Sequence, residues 1–375
     1  MHHFILPNQD TWISSGSSTI TDESFKNQNF GRDQILEVKK KFFNDKFHHQ
    51  TRALVQFSGT EFSAMSQSIV NGIIPLPQTG SISGSKFYLK LYEVEGNSKL
   101  SDEYNLHIQP ISQSWTEGTG KFDDSPKNVL GCSWENRKNI INGDTTTWNT
   151  SGGDILGVSS STQAFRNESS DIEVEVTDMV NMWLSGQFEN YGMLIRFSGS
   201  QETDETTFGN LKFFSRNTHT IYPPRLEVRW DDHLPCTGSN TGSLNQLTSS
   251  GLIDNHLYIR GLQESYKEND RVRFRVGSRK KYIQKTFTNS LHISSGSFIP
   301  EGSGSYAIKD VTTDEFIVPF SDYTTIGCDS EGMYFNQWLD NFFPDRVYKI
   351  LLKLKTDDKQ EQIFDNDFEF IIRRN

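Results

Sequence analysis

The sequence predicts an all-β protein made of two antiparallel β-sandwiches, and three observations carry that reading. Gly, Ser, Thr and Asn punctuate the 375-residue chain about every ten residues. Between them lie short apolar or alternating runs such as RALVQF, KFYLKLYEV, NYGMLIRF, LKFF and RLEVRW. Hydrophobic residues make up only 34%, yet 27 Phe, 12 Tyr and 7 Trp provide large apolar bodies, so cores can be built from rings. No long amphipathic helix competes with this pattern.

Taken in order, MHHFILPNQD has neither a basic n-region nor a long apolar stretch, which predicts no Sec signal. His2 and His3 are compatible with a tag remnant. Strand-like runs follow through to DIEVEVTDMVNMWLSG, Asp171–Gly186. There the period of two gives way to helical spacing of Val180, Trp183 and Leu184, with Thr177 as the capping hydroxyl and Gly186 as the stop. One helical turn of this kind can press Val180 and Trp183 onto the end of a sandwich core. The stretch His233–Gly251 is poor in apolar residues and rich in Ser, Thr, Asn and Gly. It reads as a linker, residues 233–251, between a domain at 1–232 and a domain at 252–375. HLYIRGL, RVRFRVGS, YAIKD, EFIVPF, YKILLKLK and FEFIIRR give the second domain the strand count of an immunoglobulin-like sandwich. MYFNQWLDNF, Met333–Phe342, reads as an added helical turn.

The net charge of −11 argues against a broad nucleic-acid surface, which needs clustered Lys and Arg. Cys132, Cys236 and Cys328 are far apart and odd in number, and they read as isolated reduced thiols. No window reaches the roughly 18 apolar residues of a membrane span. GxSxG, HExxH, P-loop and GxGxxG motifs are missing, and the His residues are scattered, with His48-His49 in a polar loop. The expectation is therefore a protein without catalytic residues.

Sugar binding would need exposed rings and planar polar groups. The candidates are Trp12, Tyr104, Trp134 and Trp148, with Arg137 beside them. Trp134 and Trp148 fall in an irregular Gly/Ser/Asn segment, and these rings suit fixing a long loop or burial against a neighbouring subunit as well as holding a ligand. Asp123-Asp124, Glu202–Glu205, Asp231-Asp232 and Asp365–Asp367 are the carboxylates that could face Ca²⁺, the one cofactor the sequence leaves open. Most such residues stabilise turns instead. RVRFRVGSRKKY, Arg271–Tyr282, alternates charge with apolar residues as the solvent face of a strand does, and the alternative is a surface that docks onto an acidic partner.

Asn29 with Gly31, Arg52, Trp115 with Glu117, Thr177 with Val180, Trp183 and Gly186, Gly192, Ser215 with Arg216, and Pro224 with Arg225 occur in a telling order. In that order the stretch from about Asp10 to Trp230 resembles the DNRLRE-type modules, jelly-roll β-sandwiches similar to the family-96 carbohydrate-binding modules. EGTGKFDDSPKNVLGCSW and TTTWNTSGGD resemble the versions found in virion proteins of T4-like phages of marine bacteria. The C-terminal module resembles a domain that recurs at the ends of such proteins. The resemblance implies structural anchors at Arg52, Trp115, Thr177, Val180, Trp183, Arg216 and Arg225. It implies a virion structural protein of the tail, neck, baseplate or head surface, in symmetric copies docked on other virion proteins, with no nucleic-acid or membrane partner. The alternative it implies is a module that recognises host surface glycans.

Overall fold

The computed structural model describes residues 1–16, 25–43, 47–95, 100, 103–166, 171–247, 255–281, 297–355 and 360–374. The chain is all-β and divides into two compact units. The first comprises residues 4–79 and 86–228, and the second residues 1–3, 80–85 and 229–375.

In chain order the first strands are β1 (His2–Ile5), β2 (Gln9–Ser14), β3 (Ile35–Phe43), β4 (Phe47–Gln56), β5 (Lys86–Leu91), β6 (Glu93–Glu95) and β7 (Glu103–Pro110). Then come β8 (Asn136–Lys138), β9 (Thr146–Thr147), β10 (Ser161–Arg166), β11 (Ile172–Glu175), β12 (Met193–Phe197), β13 (Gly209–Phe214) and β14 (Arg225–Arg229). One sheet has the order β1-β14-β5-β11, and a larger one runs β10-β7-β12-β4-β3-β13-β6, with β2 also on β4. The alternation read from KFYLKL is the burial pattern of β5, where Phe87, Leu89 and Leu91 are fully buried.

Among the described residues this unit also has three α-helices: α1 (Thr60–Val70), α2 (Thr177–Leu184) and α3 (Gly199–Thr203). α2 buries Met179, Val180 and Trp183, and Gly186 closes it at positive φ. Thr177 does not cap it. Val176 holds that position, and the Thr177 hydroxyl accepts from Phe87 N and donates to Glu175 instead. α1 departs from the all-strand expectation for this stretch. Its Phe62, Met65 and Ile69 recur at helical spacing and are buried, and the Phe62 ring meets the edge of Trp183 at 6.4 Å.

The second unit contains β15 (Asn245–Gln246), β16 (Asn255–Arg260), β17 (Ser265–Lys267), β18 (Arg271–Lys280), β19 (Ser297–Phe298) and β20 (Gly304–Asp310). It continues with β21 (Phe316–Val318), β22 (Gly327–Asp329), β23 (Gly332–Trp338), β24 (Val347–Lys355) and β25 (Glu361–Arg373). Sheets of order β16-β18-β23-β22 and β17-β25-β24-β20-β21 close on a ring-filled core. Tyr306 stacks on Phe335 at 3.9 Å, and Phe274 contacts Phe335, Phe370 and Tyr266.

Several expectations are corrected here. MYFNQW is strand β23, because its register against β18 pairs Phe335 with Phe274, and a helical turn would lose that pair. His2 and His3 are buried in β1 rather than forming a solvated tag remnant, and burial lowers the His3 pKa to about 4. His48 and His49 belong to β4 rather than to a loop. In 233–251 the described part is more than a spacer, for Leu247 is buried and β15 pairs with β19. Cys236 and Cys328 form a disulfide with Cα atoms 4.8 Å apart, so they are not reduced thiols. Sequence separation hid the pair. Cys132 alone is free and buried, which pushes its thiol pKa up.

Candidate functional site

Residues 111–155 connect β7 to β10 and lie over one face of the larger sheet. That face carries Ile13, Leu54 and Leu194, fixed in place by the pairing of Leu54 with Leu194 and of Ile13 with Arg52. Ile111, Trp115, Cys132, Trp134 and Trp148 pack against them as one apolar cluster. The sheet centre is thus covered rather than solvated, which explains why MLIRF in β12 is buried at nearly every position.

The covering segment is held by polar side chains. Asn29 is fully buried, donates Nδ2 to Glu117 O and Cys132 O, and accepts at Oδ1 from Gly31 N and Gly120 N. This satisfies every site of its amide. A Cβ at Gly118, where φ is +81°, would lie 2.3 Å from Asn29 Oδ1. Glu117 receives Arg216 Nη1 at 2.9 and 3.0 Å, while Arg216 N donates to Asp10 Oδ2 at 2.6 Å. Burial raises the Asp10 pKa to about 8, and the Glu117 charge adds to the shift.

A second clamp centres on Glu202 of α3. Arg52 reaches it through Nε and Nη2 at 2.9 and 2.8 Å, and Arg196 Nη1 at 2.6 Å. Arg52 also donates to Gly152 O and lies over Trp134 at 4.9 Å. A Cβ at Gly152 would collide with that ring, so the residue is a glycine for steric reasons.

The rings that sugar stacking would need exposed are buried, and Trp134 and Trp148 take the other role weighed for them, fixing a long loop. Trp12, Tyr104, Trp134 and Trp148 are each less than 8% accessible. Trp148 donates its indole N–H to Ser133 O and Trp115 donates its own to Tyr191 O. Tyr104 stacks on Phe165 at 4.8 Å. Trp134 and Trp148 are buried because rings in the covering segment face the sheet, whereas Trp12 and Tyr104 are strand residues covered by neighbouring rings. Arg137 ties two parts of the same segment together through Ser114 O. Trp115, Arg52 and Arg216 thus come together around this segment. Thr177, Val180 and Trp183 lie on α2, and buried Arg225 sits near the rings of Phe4 and Tyr92.

Three of the four acidic stretches considered for Ca²⁺ have side chains engaged by protein cations, and in the fourth Asp124 accepts from Lys121 N. Glu202 holds two arginines, Asp204 holds the buried Lys40 ammonium, Asp231 holds His233, and Asp365 and Asp367 hold Lys349. Among the described residues no three His, Cys, Asp or Glu side chains gather as a metal site.

One groove of about 550 Å³ lies on the first unit. Trp12 forms part of its wall, stacked on Phe30 at 3.7 Å and near Phe122 at 6.2 Å. Phe122 is about half exposed, the one candidate ring here with a free face. Asp33 accepts from the Trp12 indole and from Phe122 N, and burial raises its pKa against those bonds. Arg32, Lys39, Lys121 and Lys212 share the polar part of the lining with Glu37, Asp123 and Asp124, and with Gln34 and Asn210. Sequence reasoning named Trp12 and Asp123-Asp124 but missed Phe122. Its signal is an apolar ring in the otherwise polar run GTGKFDDSP.

Searches against known protein families and curated proteins give no match for this chain.

Proposed function

We propose that this chain is a non-enzymatic structural protein of a bacteriophage particle. Its first unit is a DNRLRE-type jelly roll and its second an immunoglobulin-like sandwich. It docks in symmetric copies on other virion proteins, as a tail, neck or baseplate adaptor or fibre or as a head decoration. The observation that carries this reading is the use of the rings and charges singled out in the sequence. They close clamps inside the fold, as Arg52 does by pairing with Glu202 and lying over Trp134. Groups aimed inward in this way serve rigidity, which suits a component that carries load between neighbours. Mass spectrometry of purified particles tests the proposal. The protein is expected in stoichiometric amount, and its absence from particles refutes the reading.

The groove beside Phe122 favours a second reading, recognition of host surface glycans. A half-exposed ring with carboxylate, ammonium and amide groups around it has the composition that such recognition uses. Glycan-array binding that disappears in Phe122→Ala, with the fold intact, is the expected result. Trp134→Ala and Trp148→Ala are unsuitable probes, because both rings are packed in the apolar cluster.

A further inference from the structure

The second unit carries two charged sheet faces of complementary pattern. On β18, Arg271, Arg273 and Arg275 occupy alternate positions, so their side chains leave the same face about 7 Å apart. Arg271 lies flat on Trp338 at 3.7 Å and Arg273 on Tyr334 at 4.3 Å. Stacking of this kind fixes a guanidinium; Arg273 spends Nε on Asn336 Oδ1 at 3.0 Å, and the outer N–H groups of Arg271 and Arg273 are those a carboxylate would meet. Arg273 is about half exposed, and Arg271 is exposed. Two carboxylates interrupt the ladder at one end, where Asp329 pairs with Arg273 and Arg275, and Glu331 with Arg275.

The other sheet presents the reverse arrangement. Asp365, Asp367 and Glu369 of β25 converge on Lys349 at 3.2, 3.1 and 3.6 Å. Three carboxylates therefore share one ammonium, and Asp367 is 84% exposed. Lys353 stands further along β24, paired with Glu361.

We propose that the β18 face of one copy docks on the β25 face of a second copy of this chain. The occupant follows from the mixed pattern. A polyanion laid along β18 would meet Asp329 and Glu331 as well as the arginines. The β25 face offers Asp365, Asp367 and Glu369 to the guanidiniums, and Lys349 and Lys353 to those two carboxylates. A contact between two different faces is heterologous, so it propagates into a ring or an open filament. This inference rests on the multi-copy part of the proposed function and names the surfaces that build it.

The test uses the full chain in native mass spectrometry and sedimentation velocity at about 0.01 M and about 1 M salt, where the screening length drops from about 30 to about 3 Å. Multimers at low salt that dissociate at high salt are expected. Arg271→Glu with Arg273→Glu, and separately Asp365→Lys with Asp367→Lys, should each give monomer at low salt. Mixing the two reversed proteins should restore assembly. The milder pairs Arg271→Gln with Arg273→Gln and Asp365→Asn with Asp367→Asn, which should lose assembly too, stand in if a reversal unfolds the chain. A monomer at low salt, multimers indifferent to both reversals, or no pairing in the mixture overturns the proposal. So does a monomer that binds a polyanion through Arg271 and Arg273. Absence of the protein from particles refutes the virion reading and leaves this measurement standing.

Discussion

The first unit is fastened by polar side chains, and the second by rings and a sulfur bridge. In the first, single side chains tie segments far apart in the chain. Asn29 reaches Cys132 across 103 residues, and Arg52 reaches Glu202 across 150. Such ties demand distance and angle, so they select one geometry and fail abruptly when a partner is lost. In the second, the Tyr306–Phe335 and Phe274–Phe370 contacts are less directional, and Cys236–Cys328 closes a span of 92 residues covalently. A covalent closure of that length restricts the unfolded chain, where the polar clamps act only in the folded state. The lesson is that two all-β units of one chain can reach order through opposite means.

Hydrogen exchange read unit by unit can break this comparison. The largest effect is expected from Cys236→Ser with Cys328→Ser, which should cost the second unit about 4–5 kcal/mol and leave protection in the first unit unchanged. Glu202→Ala should cost the first unit about 2–4 kcal/mol, because the partly buried Arg52 and Arg196 would lose their shared buried carboxylate. Equal loss in both units from either change would refute the division of labour. Trp183→Ala should cost the first unit about 3 kcal/mol by opening a cavity beside Phe62, measured by chemical denaturation.

Acidity sharpens the contrast further, with smaller effects. The Asp10 pKa is raised to about 8. The folded first unit therefore holds a proton that the unfolded chain releases near pH 4, and its stability falls as pH rises from there to about 8. Asp10→Asn should flatten that decline. In the second unit His233 sits between Asp231 at 2.6 Å and Glu301 at 2.9 Å, and its hydrogen bond to Asp231 is the main cause of a pKa raised to about 9. The stabilisation is complete below about pH 6.5 and disappears as pH climbs through 9, and His233→Gln should remove this dependence. Denaturation midpoints measured from pH 4 to pH 9 check both. A midpoint that rises with pH across either window would contradict the assignment.

Much of this was legible where one residue type answers to one physical rule. The alternation in KFYLKL and RVRFRV gives β5 and β18, and the change of period at Thr177 gives α2. α1 was missed although Phe62, Met65 and Ile69 carry its spacing, because Ser and Gly around them resemble turn punctuation. The covering segment was not legible. Its Gly, Ser and Asn content describes an irregular path, and composition cannot say which side of a sheet that path takes. Trp134 and Trp148 therefore looked like surface rings although they lie against Leu54 and Leu194. Cys236 and Cys328 failed for a similar reason, since bridging depends on spatial approach and not on spacing along the chain. The groove escaped notice because Trp12, Asp33, Phe122 and Asn210 come from four separate stretches.

The amide of Asn29 has two hydrogens and two acceptor lone pairs directed at backbone, and all four are taken. Aspartate would set an oxygen against two carbonyls, leucine would strand two N–H groups, and glutamine would carry the same head one methylene too far. In a saturation library this position should therefore accept its own residue and reject every replacement, a signature usually taken to mean catalysis that here arises from valence alone.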